Sequence, residues 1–194
     1  NVDSTAPSFG TPNPDNVWMI GQQLLITVGF NTGMFVNQAG GTPRIPITIG
    51  VTTKYATYLS GGDGQTSLLF TYTIVEGDLD IDTAIAFGDI ELNGGTIVDS
   101  ASTNSLLVLP SASLTTTSID GVKPIISSIT PPANATYSAL VASVAAFTFT
   151  INWSEAVHYS ATTAASAFVP LNIGGTTVNA IYTSGNDTAT IIHT

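Results

Sequence analysis

The chain repeats itself once, and the second copy stops early. The first copy opens Asp3-Ser4-Thr5-Ala6-Pro7 and runs to Pro43-Arg44-Ile45-Pro46-Ile47-Thr48-Ile49-Gly50, then Tyr55-Ala56-Thr57-Tyr58-Leu59-Ser60-Gly61. The second opens Asp120-Gly121-Val122-Lys123-Pro124 and runs to Phe168-Val169-Pro170-Leu171-Asn172-Ile173-Gly174, then Asn179-Ala180-Ile181-Tyr182-Thr183-Ser184-Gly185. Gly50 and Gly174 are 124 positions apart, and so are Tyr58 and Tyr182. Whatever one copy folds into, the other must be able to fold into as well. A tandem array of one module serves length and presentation rather than chemistry.

The repeated segments alternate with period two. Leu24-Leu25-Ile26-Thr27-Val28-Gly29-Phe30, Leu68-Leu69-Phe70-Thr71-Tyr72-Thr73-Ile74-Val75 and Ala146-Phe147-Thr148-Phe149-Thr150-Ile151-Asn152-Trp153 place apolar side chains on every second residue. Such β-branched and aromatic alternation buries one sheet face and wets the other. Turn chemistry separates the runs at Ser60-Gly61-Gly62-Asp63-Gly64, Asn93-Gly94-Gly95, Gly174-Gly175 and Ser184-Gly185-Asn186-Asp187. No stretch carries a capped helical stripe. The pattern predicts an all-β protein of tandem β-sandwich modules, the second incomplete, over residues 1–119 and 120–194. Strands are expected near residues 6–11, 23–30, 45–49, 54–59, 67–75, 87–92, 96–98 and 105–109. In the second module they are expected near 125–130, 145–153, 169–173, 177–183 and 188–193. The junction falls near Thr115 to Lys123.

Charge narrows the partners. Net charge is −10, and Arg44, Lys54 and Lys123 are the only basic residues apart from two histidines. Nucleic-acid binding needs clustered Lys and Arg, so that class is excluded, and an anionic membrane surface is disfavoured on the same ground. Mean hydropathy is positive at +0.35, yet the longest apolar run, Leu140 to Phe147, is far short of the ~20 residues of a membrane helix. No membrane insertion is expected. With no cysteine there is no disulfide, thiolate nucleophile or zinc-thiolate site. Cysteine-free, lysine-poor, threonine-rich chains are common among bacterial and archaeal surface proteins.

Thr188-Ala189-Thr190-Ile191-Ile192-His193 aligns with Thr66-Ser67-Leu68-Leu69-Phe70-Thr71. The first module continues from Tyr72 to Ser118; the second has no counterpart. A sandwich lacking those strands exposes core and an unpaired edge. Either the module is cut short or a strand from another chain completes it.

The blocks Thr42 to Gly50, Tyr55 to Tyr58, Phe70 to Asp78 (Phe-Thr-Tyr-Thr-Ile-Val-Glu-Gly-Asp) and Leu92 to Asp99 (Leu-Asn-Gly-Gly-Thr-Ile-Val-Asp) occur in that order. With Asp-Ser-Thr-Ala-Pro at the start, they resemble the bacterial Ig-like repeats of large secreted surface proteins and adhesins. The resemblance implies seven- or eight-stranded sandwiches strung in tandem outside the cell, many of them binding calcium near module junctions. Such repeats often carry Asp-x-Asp-x-Asp-Gly. Here Asp78-Leu79-Asp80-Ile81-Asp82 is followed by Thr83, and Asp99 is followed by Ser100 rather than Ala-Gly-Asn.

Glu76, Asp78, Asp80 and Asp82 form the one dense acidic cluster. Alternate residues of an extended segment point the same way. Several carboxylates on one side repel unless a cation sits among them, and oxygen-only ligands favour calcium. Asp99 and Asp120 are the further candidate ligands, and Asp3 opens the first module as Asp120 opens the second. The alternative is a solvated acidic loop. His158 and His193 lie in no catalytic or metal motif, and no Gly-x-Ser-x-Gly elbow exists. Trp153 ends a strand run and reads as core or rim. Trp18 precedes a strand and is the better candidate for an exposed sugar platform. The sequons at Asn134, Asn152 and Asn186 matter only in a eukaryotic secretory host.

The expected function is therefore a non-enzymatic structural or adhesive module, extracellular and at the cell surface, with calcium as its expected cofactor. Its partners would be neighbouring modules or identical subunits, with a glycan or host-surface ligand. The alternatives are a self-assembling filament subunit and a carbohydrate-binding accessory domain.

Overall fold

The computed structural model describes residues 7–10, 16–81, 84–110, 113–114, 117–137, 146–160 and 167–194. Asp3 and Asp82 lie outside these residues. The chain is all-β, with no helix among the described residues, and divides into two compact units, Asn1–Val122 and Lys123–Thr194.

The first unit holds β1 (Ser8–Phe9), β2 (Val17–Met19), β3 (Gln23–Asn37), β4 (Arg44–Ile49), β5 (Thr52–Gly61), β6 (Gln65–Thr73), β7 (Leu79–Asp80), β8 (Ile85–Phe87), β9 (Thr96–Asp99), β10 (Ser113–Leu114) and β11 (Ser118–Asp120). Its larger sheet runs β1-β3-β6-β5-β4-β8-β10, with β9 on the far half of β3; the smaller runs β2-β11-β7. The alternation seen in the sequence becomes burial. Leu24, Ile26 and Val28 of β3, Ile45 and Ile47 of β4, and Leu68 and Phe70 of β6 have no exposed surface. Ile85, Ile97 and Ile119 close the same core from the later strands. Each such side chain contributes about 1.5–3 kcal/mol by leaving water.

The second unit holds β12 (Ile126–Thr130), β13 (Phe149–Val157), β14 (Phe168–Ile173), β15 (Thr176–Ser184) and β16 (Thr188–His193), in the order β12-β13-β16-β15-β14. That is the order β1-β3-β6-β5-β4 again, and the register repeats with it. On the β4–β5 hairpin Ile45 opposes Ala56 and Ile49 opposes Thr52; on β14–β15 Val169 opposes Ala180 and Ile173 opposes Thr176. All four positions shift by 124. Ile26 opposes Phe70 and Val28 opposes Leu68, as Phe149 opposes His193 and Ile151 opposes Ile191, a shift of 123. The change from 124 to 123 lies in the intervening turn, which is one residue shorter in the second unit. His193 therefore corresponds to Phe70, and the alignment of His193 with Thr71 expected from sequence is one residue out.

One glycine marks the shared irregularity. The β5–β6 and β15–β16 pairings both slip after the tyrosine, at Tyr58/Ser60 and Tyr182/Ser184. Gly61 and Gly185 follow, with φ of 101° and 108°. A Cβ there would lie 2.3 Å from the Ser67 carbonyl oxygen in one unit and 2.0 Å from that of Thr190 in the other. Only glycine fits such a bulge.

Some expected strands differ. β3 runs on to Asn37 because its far half pairs with β9, from Met34 opposite Asp99 to Asn37 opposite Thr96. Residues 105–109 form no strand; the segment is tied by single bonds, Ser105 N–H to the Ile97 carbonyl and Ile90 N–H to that of Leu107.

Candidate functional site

The acidic segment sits at the end of the first unit where β7 meets β11, with Ile119 opposite Asp80 and Asp120 opposite Leu79. The turn before it is closed by Asp78 N–H bonding the Val75 carbonyl, and Gly121 N–H bonds the Asp78 carbonyl. This backbone course turns Asp78 and Asp80 inward, where both are buried, and leaves Glu76 exposed.

Asp78 carries the densest set of contacts. Its side chain is wholly inside, with Lys54 Nζ of β5 at 2.8 Å from Oδ1. Oδ2 accepts the Tyr72 hydroxyl at 2.6 Å and the Val75 N–H at 2.9 Å. Burial alone pushes this carboxyl up. The Lys54 ammonium, then the Tyr72 hydroxyl and the Val75 N–H, outweigh it and hold Asp78 below the ordinary carboxylate value. Tyr72 moves the other way: burial, then its bond to Asp78 and that residue's charge, raise the phenol.

Asp80 has a separate task. Its Oδ2 accepts the N–H of Gly50 at 2.8 Å, tying the β4–β5 turn to β7. The Asp99 carboxylate accepts the Ala101 and Thr103 N–H groups and closes its own turn at the end of β9. Asp120 accepts the Val122 N–H at 3.1 Å. The fold thus brings Asp80 and Asp120 onto neighbouring strands, with Asp78 in the turn just before β7, and places Asp99 in the other sheet. No group of three His, Asp or Glu side chains stands within reach of one metal ion among the described residues. Lys54, a residue the sequence did not single out, places an ammonium beside Asp78. Its signal was slight: one of three basic residues, near the start of β5, in a chain with thirteen acids.

Trp18 is a correction. It lies in β2, 4% exposed, paired in parallel with Ile119. A buried indole offers no sugar platform. Trp153 packs half-buried against the core of the second unit. His158 Nδ1 lies 2.6 Å from Asp187 Oδ1 on the surface, and His193 is in the core.

The second unit presents an open cavity of about 520 Å³ on the inner face of its sheet, walled by Ile151, Trp153, Phe168, Val169, Ile191 and His193. Comparison with family models, with curated proteins and with solved structures returns no match.

Proposed function

We propose that this chain is a non-enzymatic, extracellular structural or adhesive module of a bacterial cell-surface protein or fibre. The observation that supports it is the repeat of one five-strand order, in which β3 to β6 match β13 to β16 position for position at spacings of 124 and 123 residues. Selection that keeps register, bulge and turn glycine in two consecutive copies acts on the module as a mechanical unit. The chemistry of the acidic segment agrees with this reading. Asp78, Asp80, Asp99 and Asp120 each bond backbone or side-chain groups of their own unit, which is what carboxylates do when they hold loops rather than substrates. Neighbouring modules are the primary partners, and laddered strands carry the load.

The test is placement and mechanics. Antibody raised against the chain labels intact source cells, and single-molecule pulling gives separate force peaks for the two units. Labelling that requires permeabilised cells overturns the location. A featureless extension trace overturns the mechanical role.

A further inference from the structure

Tension applied along the chain enters the first unit ahead of β1 and leaves it at Val122. The two ends are held very differently. Among the described residues β1 pairs with β3 at two positions, Ser8 opposite Thr27 and Phe9 opposite Ile26, and one further bond runs from Gly10 N–H to the Leu25 carbonyl. Phe9 is only partly buried, stacked on Phe87 at 4.4 Å. β11 lies between β2 and β7 and is bonded on both sides. It is parallel to β2, with Ser118, Ile119 and Asp120 opposite Val17, Trp18 and Met19, and antiparallel to β7. Ser118 N–H bonds the Asn16 carbonyl. Ile119 and Trp18 are both buried in the core.

The exit of β11 is tied back to the large sheet. Gly121 donates to the Asp78 carbonyl at 2.6 Å and accepts from Gly77 N–H at 2.9 Å. A Cβ on Gly121 would lie 2.5 Å from the Val75 carbonyl oxygen, so this approach requires glycine. Asp78, whose carbonyl holds Gly121, sets its carboxylate against Lys54 of β5 and the Tyr72 hydroxyl of β6. Asp80 holds the Gly50 N–H at the β4–β5 turn. A pull on Val122 therefore reaches β5 and β6 through Asp78.

We propose that β2 and β11 form a mechanical clamp that takes the load after β1 has come away, and that the Lys54–Asp78 pair anchors its exit end in the large sheet. Once β1 is off, the pull acts on the N-terminal end of β2 and the C-terminal end of β11. The strands are parallel, so these are opposite ends of the pair. The load then runs along the strands and across all their hydrogen bonds together. An antiparallel hairpin such as β4–β5, pulled at its open end, gives up its bonds one at a time. The clamp rests on the reading of the chain as a load-bearing module and gives that module an order of rupture.

The test pulls the whole chain by its two ends. The first unit gives a short step that releases the chain ahead of β2, up to about 35 Å from Pro7 to Asn16, and then its main step. Five glycines inserted between Gly10 and Asn16 lengthen the short step by about 18 Å and leave the main one unchanged; the same insertion after Asp63, in the β5–β6 turn, does the reverse. At constant force Lys54→Met shortens the lifetime before the main step by about tenfold or more. Ile45→Ala, a fully buried truncation on β4 outside the clamp strands and of comparable cost to stability, shortens it much less. A main step lengthened by the insertion ahead of β2, or equal shortening by Lys54→Met and Ile45→Ala, overturns the clamp and leaves the module reading standing. A trace with no force peak for the first unit overturns both.

Discussion

Lys54 Nζ lies 2.8 Å from Asp78 Oδ1, joining β5 to the turn after β6 by an ion pair whose acidic member is wholly out of water. Removing the cation leaves a buried charge with two hydrogen bonds and no counter-ion. Lys54→Met should destabilise the first unit by about 3 kcal/mol at neutral pH, since breaking one side of a buried pair costs more than replacing both. Chemical denaturation followed at Trp18 measures it.

Acid titration of the same pair has a definite sign. Asp78 is held below its unfolded value, near 3.9. Its contribution is complete above that value and is lost as pH falls through the lower folded value, where the unfolded chain has already taken up a proton. In Lys54→Met the strongest influence lowering Asp78 is gone, and burial pushes the carboxyl up. The stability gap between wild type and Lys54→Met should therefore shrink between pH 7 and pH 3. A gap that stays constant would show that Lys54 acts through packing alone.

The alternating core was legible because it needs only local information. Leu24, Ile26 and Val28, or Ile45, Ile47 and Ile49, declare a face by spacing alone. The site was less legible because its decisive contacts are long-range. Lys54 and Asp78 are 24 residues apart on separate elements, and nothing in either neighbourhood names the other. Trp18 was misplaced for the same reason: its burial depends on Ile119 of β11, about a hundred residues on. Setting His193 against Thr71 takes the turn before β16 as two residues shorter than its counterpart before β6, where the structure has it one shorter. A one-residue error exchanges the two faces of a strand, so Phe70 and His193, both buried, looked unrelated.

Calcium should change little at Asp78. The carboxylate already faces an ammonium, and Asp80 already accepts the Gly50 N–H. An ion would have to displace Lys54 before binding, at the cost of its ion pair with Asp78. Melting in millimolar calcium and in excess chelator should give first-unit transitions within about 2 °C of each other, less than the shift expected from 1 kcal/mol in a domain of this size. A larger rise with calcium would mean that Lys54 yields its place.

The two turn glycines separate intrinsic strain from packing. Gly50 and Gly174 have φ of 58° and 60°, so an alanine at either meets the same left-handed penalty of about 1–2 kcal/mol. Only Gly50 also abuts the Leu79 carbonyl while donating to Asp80. Gly50→Ala should therefore cost the first unit more than Gly174→Ala costs the second. Urea unfolding of the two variants gives the comparison, and equal losses would mean that β7 moves aside at no expense.

His193 makes the second unit acid-sensitive in a way the first cannot be. It fills the place of Phe70, stacked on Phe149 at 5.5 Å and edge-on to Tyr182 at 6.4 Å, as Phe70 is edge-on to Tyr58 at 6.1 Å. Burial lowers its pKa from the ordinary value of 6.5. The unfolded chain then binds a proton in a range where the folded unit does not, so stability is retained above about pH 6.5 and falls as the medium acidifies toward the lower folded value. His193→Phe restores the first unit's aromatic pair and removes the titrating group. The variant should hold the second unit's stability constant between about pH 7 and pH 5, where the wild type loses it. His158 is present in both proteins, so the difference between their melting curves isolates His193. Parallel pH profiles would place the acid response elsewhere.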